Sequence, residues 1–236
     1  MIWHIFKKDV KLLWWLAAAV ATMHFAEIAL LLTLPNSPGN RQLAQLMELL
    51  GLGGILAVGF LITALVHQDS IPGVRQDWLV RPVLRRDLLL AKLLFVVLLV
   101  QLPILIADFL EAALTGFPLG PSLAAAATRS VILLVLVDLS FLAFAAVTKN
   151  LLEAITGGVC IFFIIAILDV LLNSGRSRGA LHPTFGTGVE WITECALLLT
   201  LAIGSSLLLK LQFFRRRTLV SRFAVGALTL LARLPL

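Results

Sequence analysis

The sequence contains few charged residues, and this shortage determines its class. Charged residues make up 14% of the 236 residues, whereas a typical soluble domain has about 25%. Hydrophobic residues make up 60%, and the mean hydropathy is +1.03. These values exclude a water-soluble domain of any size and indicate an integral membrane protein.

Motifs for catalysis and for nucleotide binding are also missing. The chain has no HExxH zinc pair, no GxSxG nucleophile elbow and no Gly-Lys dipeptide, which excludes the phosphate-binding GxxxxGK[ST] loop. Its four histidines are scattered along the sequence. We therefore expect that this chain is not an enzyme and binds no metal or cofactor by itself.

Cysteine is scarce as well. Cys160 and Cys195 fall in two different apolar runs, at depths that differ by roughly 10 Å at the rise of an α-helix. Since a disulfide needs Cα atoms within about 7 Å of each other, we expect two unpaired thiols that pack as small apolar side chains.

Six apolar runs are each long enough to cross a bilayer as a helix. They cover approximately residues 12–34, 46–66, 88–110, 130–147, 151–172 and 189–209. The sequence thus predicts an all-α membrane protein in which residues 1–215 form one domain of six transmembrane helices. Residues 216–236 form a basic cytoplasmic tail that is too short to span and that has the composition of a surface helix.

The first fifteen residues combine tryptophans with lysines. Trp3, Trp14 and Trp15 are interleaved with Lys7 and Lys8, a pattern typical of a helix that lies at the membrane–water interface. We therefore expect an N-terminal interfacial helix that turns into the first span.

The nineteen lysines and arginines are distributed unevenly. With six spans, fifteen of them flank one side of the membrane, and only Arg41, Arg129, Arg176 and Arg178 flank the other. Positive residues mark the cytoplasmic side, so both termini and the loop after the second span are predicted to be cytoplasmic, in a plasma membrane such as the bacterial inner membrane. The net charge of +6 then reflects topology and acidic lipid headgroups, and nucleic acid is not expected as a partner.

Ionisable residues inside the predicted spans are candidates for a transport path, because a charge in hydrocarbon is costly. Asp138 lies near the middle of the fourth span, His24 and Glu27 lie three residues apart on the first, and Asp108 and Asp169 lie toward the outer surface. One interpretation is a polar, cation-attracting path that opens outward. The other is that these acids pair with the outer arginines or with backbone groups.

The loop between the second and third spans mixes charged with apolar residues. It carries Asp77, Trp78, Arg81, Pro82 and Arg85, so that an aromatic side chain lies within a charged rim. This combination is typical of a protein-binding hot spot, and it predicts a short amphipathic helix that docks on a partner. The alternative is that the arginines serve only to enforce the topology.

The end of this loop resembles a motif found in the permease subunits of ABC transporters of the ABC-2 type. In Asp77-WLVRPVLRRDLLLAKLL the matching positions are Trp78, Arg81, Pro82, Leu88, Leu89, Ala91 and Lys92. The resemblance implies a cytoplasmic coupling helix between spans two and three that docks on separate ATPase subunits, which would bind ATP and Mg²⁺. It also implies a dimer with a second copy of the chain or with a similar permease.

The sequence therefore predicts the transmembrane subunit of an ATP-driven transporter. An apolar interior with few charges suits the export of an amphipathic or lipid-like substrate. Two alternatives stay open. One is a proton-coupled secondary transporter that uses Asp138, His24 and Glu27, although the chain shows no internal repeat. The other is a membrane scaffold or sensor that transports nothing.

Overall fold

The computed structural model describes residues 1–33, 41–68, 84–148, 150–160, 163 and 190–210, and nearly all of them are helical. The chain divides into two compact units, Met1–Leu142 and Ala143–Leu236. The helices are α1 (Ile2–Thr33), α2 (Arg41–His67), α3 (Arg85–Phe95), α4 (Leu102–Leu114), α5 (Leu119–Leu133), α6 (Leu139–Val147), α7 (Leu151–Cys160) and α8 (Glu190–Lys210).

Among the residues that the structure describes, four helical stretches are long and apolar enough to cross a membrane. They are Ile2–Leu30, Gln45–His67, Arg86–Leu114 and Leu119–Val147, and each corresponds to one of the first four predicted spans. Leu49, Leu56 and Val131 are large, apolar and exposed on these helices, as side chains that face lipid tails would be. In the fifth and sixth predicted spans, the described residues include the shorter apolar helices Leu151–Cys160 and Leu199–Lys210.

The N-terminal segment differs from the prediction of a separate interfacial helix. Residues Ile2–Thr33 form one uninterrupted helix of 32 residues, with no turn before the first span. No glycine or proline occurs between Met1 and Leu34 to break it. At a rise of about 1.5 Å per residue such a helix is roughly 48 Å long, whereas the hydrocarbon core is about 30 Å thick. Its amphipathic start is therefore a continuation of the span.

The fourth span begins earlier than predicted. It starts at Leu119 instead of residue 130, because the alanine-rich stretch from residue 119 to residue 129 favours helix. The predicted outer loop shrinks to a tight reversal after α4. There the Phe117 N–H donates to the Ala112 carbonyl and the Gly116 N–H to the Ala113 carbonyl, while Gly116 has a φ of 85°. This is a Schellman motif, in which glycine takes the left-handed position.

Two π-helical segments lie within the third and fourth spans. Val96–Gln101 joins α3 to α4, and Leu134–Asp138 joins α5 to α6. Pro103 lies two residues after the end of the first segment. A proline ring clashes with the carbonyl four residues before it in a regular helix, so the wider turn before Pro103 accommodates the ring within a continuous span.

In the first unit, α1 packs against α2, α3 and α4, and α4 packs against α5. The buried core includes Val20, Leu61, Ile62, Phe95 and Val100. Glycine permits the closest approach in this core. A Cβ atom on Gly59 would lie 2.6 Å from the ring of Phe141, so only glycine fits there without a shift of the neighbour. Gly59 therefore lets the second span pack closely against Phe141, as small residues do within membrane bundles.

Several predicted site residues lie outside the described residues. These are Asp77, Trp78, Arg81, Pro82, Asp169 and the tail 216–236. Arg85, which was predicted to belong to the coupling loop, is instead the first residue of α3. Leu84 before it has extended backbone angles of −63° and 127°, so the third transmembrane helix begins here, three residues earlier than predicted.

Candidate functional site

A buried ion pair joins three helices at one end of the first unit. Lys92 Nζ on α3 lies 2.9 Å from Asp9 Oδ2 on α1 and donates a hydrogen bond of 2.8 Å to the Leu65 carbonyl of α2. Lys92 is 2% exposed and Asp9 is 0% exposed. We call Asp9, Leu65 and Lys92 the Lys92 cluster.

The position of the Lys92 cluster relates it to the predicted coupling loop. Leu65 comes shortly before residues 69–83 in the sequence, and Lys92 comes shortly after them. The last turn of α2 and α3 are therefore fastened to each other and to α1. Removing one member of a buried ion pair costs about 3–5 kcal/mol because it leaves an uncompensated charge. The three helix ends are thus expected to move as one body.

A hydrogen-bonded triad lies halfway along the third and fourth spans. The Ser130 hydroxyl donates to Gln101 Oε1 at 2.9 Å, and Gln101 Nε2 donates to Asp138 Oδ2. Gln101 and Asp138 are the last residues of the two π-helical segments, and Asp138 is 2% exposed. Asp138 Oδ1 has no hydrogen-bond partner among the described residues. One oxygen of the deep carboxyl group predicted in the fourth span is therefore held by the Gln101 amide. That oxygen is not open to a cavity.

The opposite end of the first unit, where α4 turns into α5, carries a second set of ionisable side chains. We call this end the far end. Arg129 Nη1 lies 2.6 Å from Asp108 Oδ1, and His24 Nδ1 lies 4.0 Å from Glu27 Oε2. His24 and Glu27 thus share one face, as predicted, and Asp108 pairs with Arg129, one of the arginines that the second interpretation named.

These side chains line a small polar cavity. It has a volume of roughly 40 Å³ and is bounded by His24, Glu27, Asp108, Glu111 and Arg129 together with apolar residues of α1 and α4. That volume exceeds the roughly 10–15 Å³ needed for one water. His24 Nε2 and Asp108 Oδ2 are buried and lack hydrogen-bond partners among the described residues, so water can bridge groups there.

A larger groove adjoins this cavity. It has a volume of roughly 480 Å³ and shares Asp108, Glu111 and Arg129 with the cavity. We call it the far-end groove. Its remaining lining comes from α4, α5 and the turn between them, and consists of Ala112, Thr115, Phe117, Pro118, Pro121, Ser122, Ala125 and Ala126. This volume falls in the range of small-molecule sites, about 300–1,000 Å³.

The structure therefore separates the predicted transport-path residues. His24, Glu27 and Asp108 come together at the far end, whereas Asp138 lines neither of the two cavities and bonds to Gln101 instead. Within the described part of the chain, no group of three or more His, Cys, Asp or Glu side chains is arranged to hold a metal ion.

Sequence reasoning did not single out Asp9, Gln101 or Ser130, and it named Lys92 only as part of the motif before the third span. Asp9 is the only acid among the N-terminal lysines, and Lys92 follows the apolar run Leu88-Leu-Leu-Ala91. Two opposite charges at the same end of neighbouring spans were a usable signal for an ion pair. Gln101 and Ser130 are uncharged, and their sequence positions alone do not indicate a shared network.

Comparisons with known proteins give no relative from which a role could be transferred. No model of a protein family matches the chain, and neither a curated protein nor a solved structure matches it.

Proposed function

We propose that this chain is the transmembrane subunit of an ATP-driven transporter of the ABC-2 type. In this proposal, separate ATPase subunits bind ATP and Mg²⁺, and they dock on the cytoplasmic segment between α2 and α3. A second copy of the chain or a similar permease completes the transporter in a plasma membrane, with both termini in the cytoplasm.

The observation that carries the proposal is the Lys92 cluster. A permease without a nucleotide site needs a rigid element that receives motion from its ATPase. The ammonium group of Lys92 on α3 binds both the Leu65 carbonyl near the end of α2 and Asp9 of α1, so the two helices that flank residues 69–83 in the sequence are tied together. A displacement of that segment would therefore be passed to α1, α2 and α3 together. A plain connector between two spans has no need of such an anchor.

The packing of the helices indicates the route by which a displacement would pass through the bundle. α1 contacts α2, α3 and α4, so a shift at the Lys92 cluster would reach the far end through a continuous helix. The far-end groove has a mainly apolar lining with charges at one side, which suits an amphipathic substrate. Export of such a substrate is the transport activity that we propose.

Substitution of Trp78 tests this function. Trp78→Ala should weaken recovery of the ATPase subunit with the detergent-solubilised chain about thirtyfold, because truncation of an aromatic hot spot costs about 2 kcal/mol or more. It should also lower the rate of substrate-stimulated ATP hydrolysis. Insertion into the membrane should be unchanged, since the positive charge of the loop is retained.

Trp14→Ala is the matched control, because Trp14 is an exposed tryptophan of α1 outside the segment between α2 and α3. It should leave recovery of the ATPase and its rate unchanged. Equal recovery and equal hydrolysis rates for the Trp78→Ala and native chains would show that the segment serves topology alone.

A further inference from the structure

The far-end groove has an electrostatic character that is set by a few groups. Its charged residues are the acids Asp108 and Glu111 and the base Arg129. Arg129 Nη1 contacts Asp108 Oδ1 at 2.6 Å, so the one cation of the groove is already engaged by a carboxylate. Among the residues that the structure describes, Glu111 forms no ion pair. The groove therefore has an excess of one negative charge.

The hydroxyl groups of the groove do not offset this charge. The Thr115 hydroxyl donates to the Glu111 carbonyl at 2.8 Å, and the Ser122 hydroxyl donates to the Pro118 carbonyl at 2.8 Å. Because both hydroxyl protons are used by the backbone, they are not available to an anionic ligand. A phosphate or sulfate group would find only Arg129, and binding it would compete with Asp108.

The rest of the groove is apolar. Its wall is formed by Ala112, Phe117, Pro118, Pro121, Ala125 and Ala126. We call these six residues the apolar wall. Phe117 is exposed although it is large and aromatic, so it offers contact area to a ligand. Aromatic faces also attract cations, by about 0.5–2 kcal/mol according to exposure.

We propose that the far-end groove binds an amphiphilic cation. The cationic head lies against Glu111, and the apolar body lies along the apolar wall. A quaternary ammonium, a protonated amine with an apolar tail or a lipophilic phosphonium has this chemistry. The inference rests on the proposed function only where it treats the ligand as a transported substrate, since binding itself requires no ATPase.

Equilibrium binding of radiolabelled tetraphenylphosphonium to the purified full chain in a nonionic maltoside tests the proposal. We expect saturable binding by the native chain. Glu111→Gln should raise Kd at least about threefold, which is the contribution of one ion contact at about 6 Å, the approach that the phenyl groups permit, at the dielectric constant of water. Tetraphenylborate, which has nearly the same shape and the opposite charge, should compete poorly.

Asp87→Asn is the matched control, because it removes the same charge from the beginning of the same span, which is about 36 Å away along the helix at about 1.5 Å per residue. It should leave Kd unchanged. Ala112→Trp provides a second variant should Glu111→Gln not yield a monodisperse protein. It fills the groove without changing any charge, and it should abolish binding.

A second experiment, in nanodiscs, tests whether the native cation is a lipid amine or a free amphiphile. Lipid amines are the occupant if phosphatidylethanolamine added to phosphatidylglycerol discs displaces tetraphenylphosphonium, and a free amphiphile is the occupant if it does not. The proposal is overturned if the native chain shows no saturable binding. It is also overturned by an unchanged Kd in Glu111→Gln or by equal binding of tetraphenylborate. Each of these results would leave the Trp78→Ala experiment unaffected.

Discussion

Lys92 connects three helices through one side-chain nitrogen. Its contacts with Asp9 Oδ2 and with the Leu65 carbonyl are both shorter than 3 Å, and both charged side chains are removed from solvent. A buried charge is tolerated only with such compensation. The stability of this end of the bundle therefore depends on the pair being complete.

Lys92→Met tests that dependence. The variant keeps an unbranched side chain but leaves the Asp9 carboxylate without its buried counter-charge, so we expect a loss of about 3–5 kcal/mol in the free energy of unfolding. Denaturant titration in mixed micelles, followed by circular dichroism, measures it. Lys11→Met is the control, because Lys11 is an exposed lysine of α1, and it should change stability little.

The double variant Asp9→Asn/Lys92→Met separates charge from packing. It should be more stable than Lys92→Met alone, because the stranded charge is gone. A double variant that is no more stable than the single one would show that the lysine acts through its bulk or through the Leu65 carbonyl.

Residue patterns predicted some of these contacts. The three-residue spacing of His24 and Glu27 was sufficient to place them on one face, since residues three apart are neighbours on a helix. The contact between Asp138 and Gln101 was not predictable in this way. It depends on the register between two different spans, and that register is altered by a π-helical segment in each of them.

At the scale of helices, glycine sets how closely α2 approaches its neighbours. Gly59 leaves room for the ring of Phe141, and Gly54 lies against His24, where a Cβ atom would be 3.3 Å from the imidazole Cε1. Small residues at such points allow helices to pack closely within a membrane. Apolar run length predicted the four long helices that the structure describes, but not where their ends lie. The start of the fourth span depends on the alanine-rich stretch after Pro118. Polar residues, glycine and proline interrupt that stretch, so run length alone does not assign it to the span.

Gly59→Ala should destabilise the bundle. The added Cβ would come within 2.6 Å of Phe141 ring atoms, and overpacking of this kind costs about 1–3 kcal/mol. Thermal unfolding followed by size-exclusion fluorescence in detergent measures the effect as a lower Tm.

Gly158→Ala is the matched control, because nothing lies within 4 Å of a Cβ atom there, and it should not lower Tm, since alanine favours helix over glycine. Phe141→Leu should restore part of the Tm lost in Gly59→Ala. A Gly59→Ala chain as stable as the native one would mean that Phe141 moves aside without loss.

At the scale of the whole molecule, the described helices define two ends of the first unit. The Lys92 cluster marks one of them, and the reversal after α4 marks the far end. The uneven distribution of lysine and arginine predicts that the first end is cytoplasmic and the far end external. The fold alone is symmetric in this respect, because a helical bundle fits a bilayer in either orientation.

Thiol labelling determines the orientation. In a chain whose free Cys160 and Cys195 are replaced by serine, Phe117→Cys should react with an impermeant maleimide added to intact cells, and Leu84→Cys should react only after the membrane is opened. Both parent side chains are exposed, so the side of the membrane from which the reagent reaches them is the only variable. The reverse pattern would invert the topology and with it the proposed site of ATPase docking.

The separation of Asp9 and Lys92 in the sequence has a consequence for synthesis. The two residues are 83 positions apart, and ribosomes add about 5–20 residues per second. The carboxylate of α1 therefore leaves the ribosome about 4–17 seconds before its lysine does. Until then α1 carries an acid without its final counter-charge, so α1 is held less firmly during this interval than in the finished chain. Lys92 of the third span completes the ion pair at this end of the bundle, and a chain truncated before Lys92 would lack it.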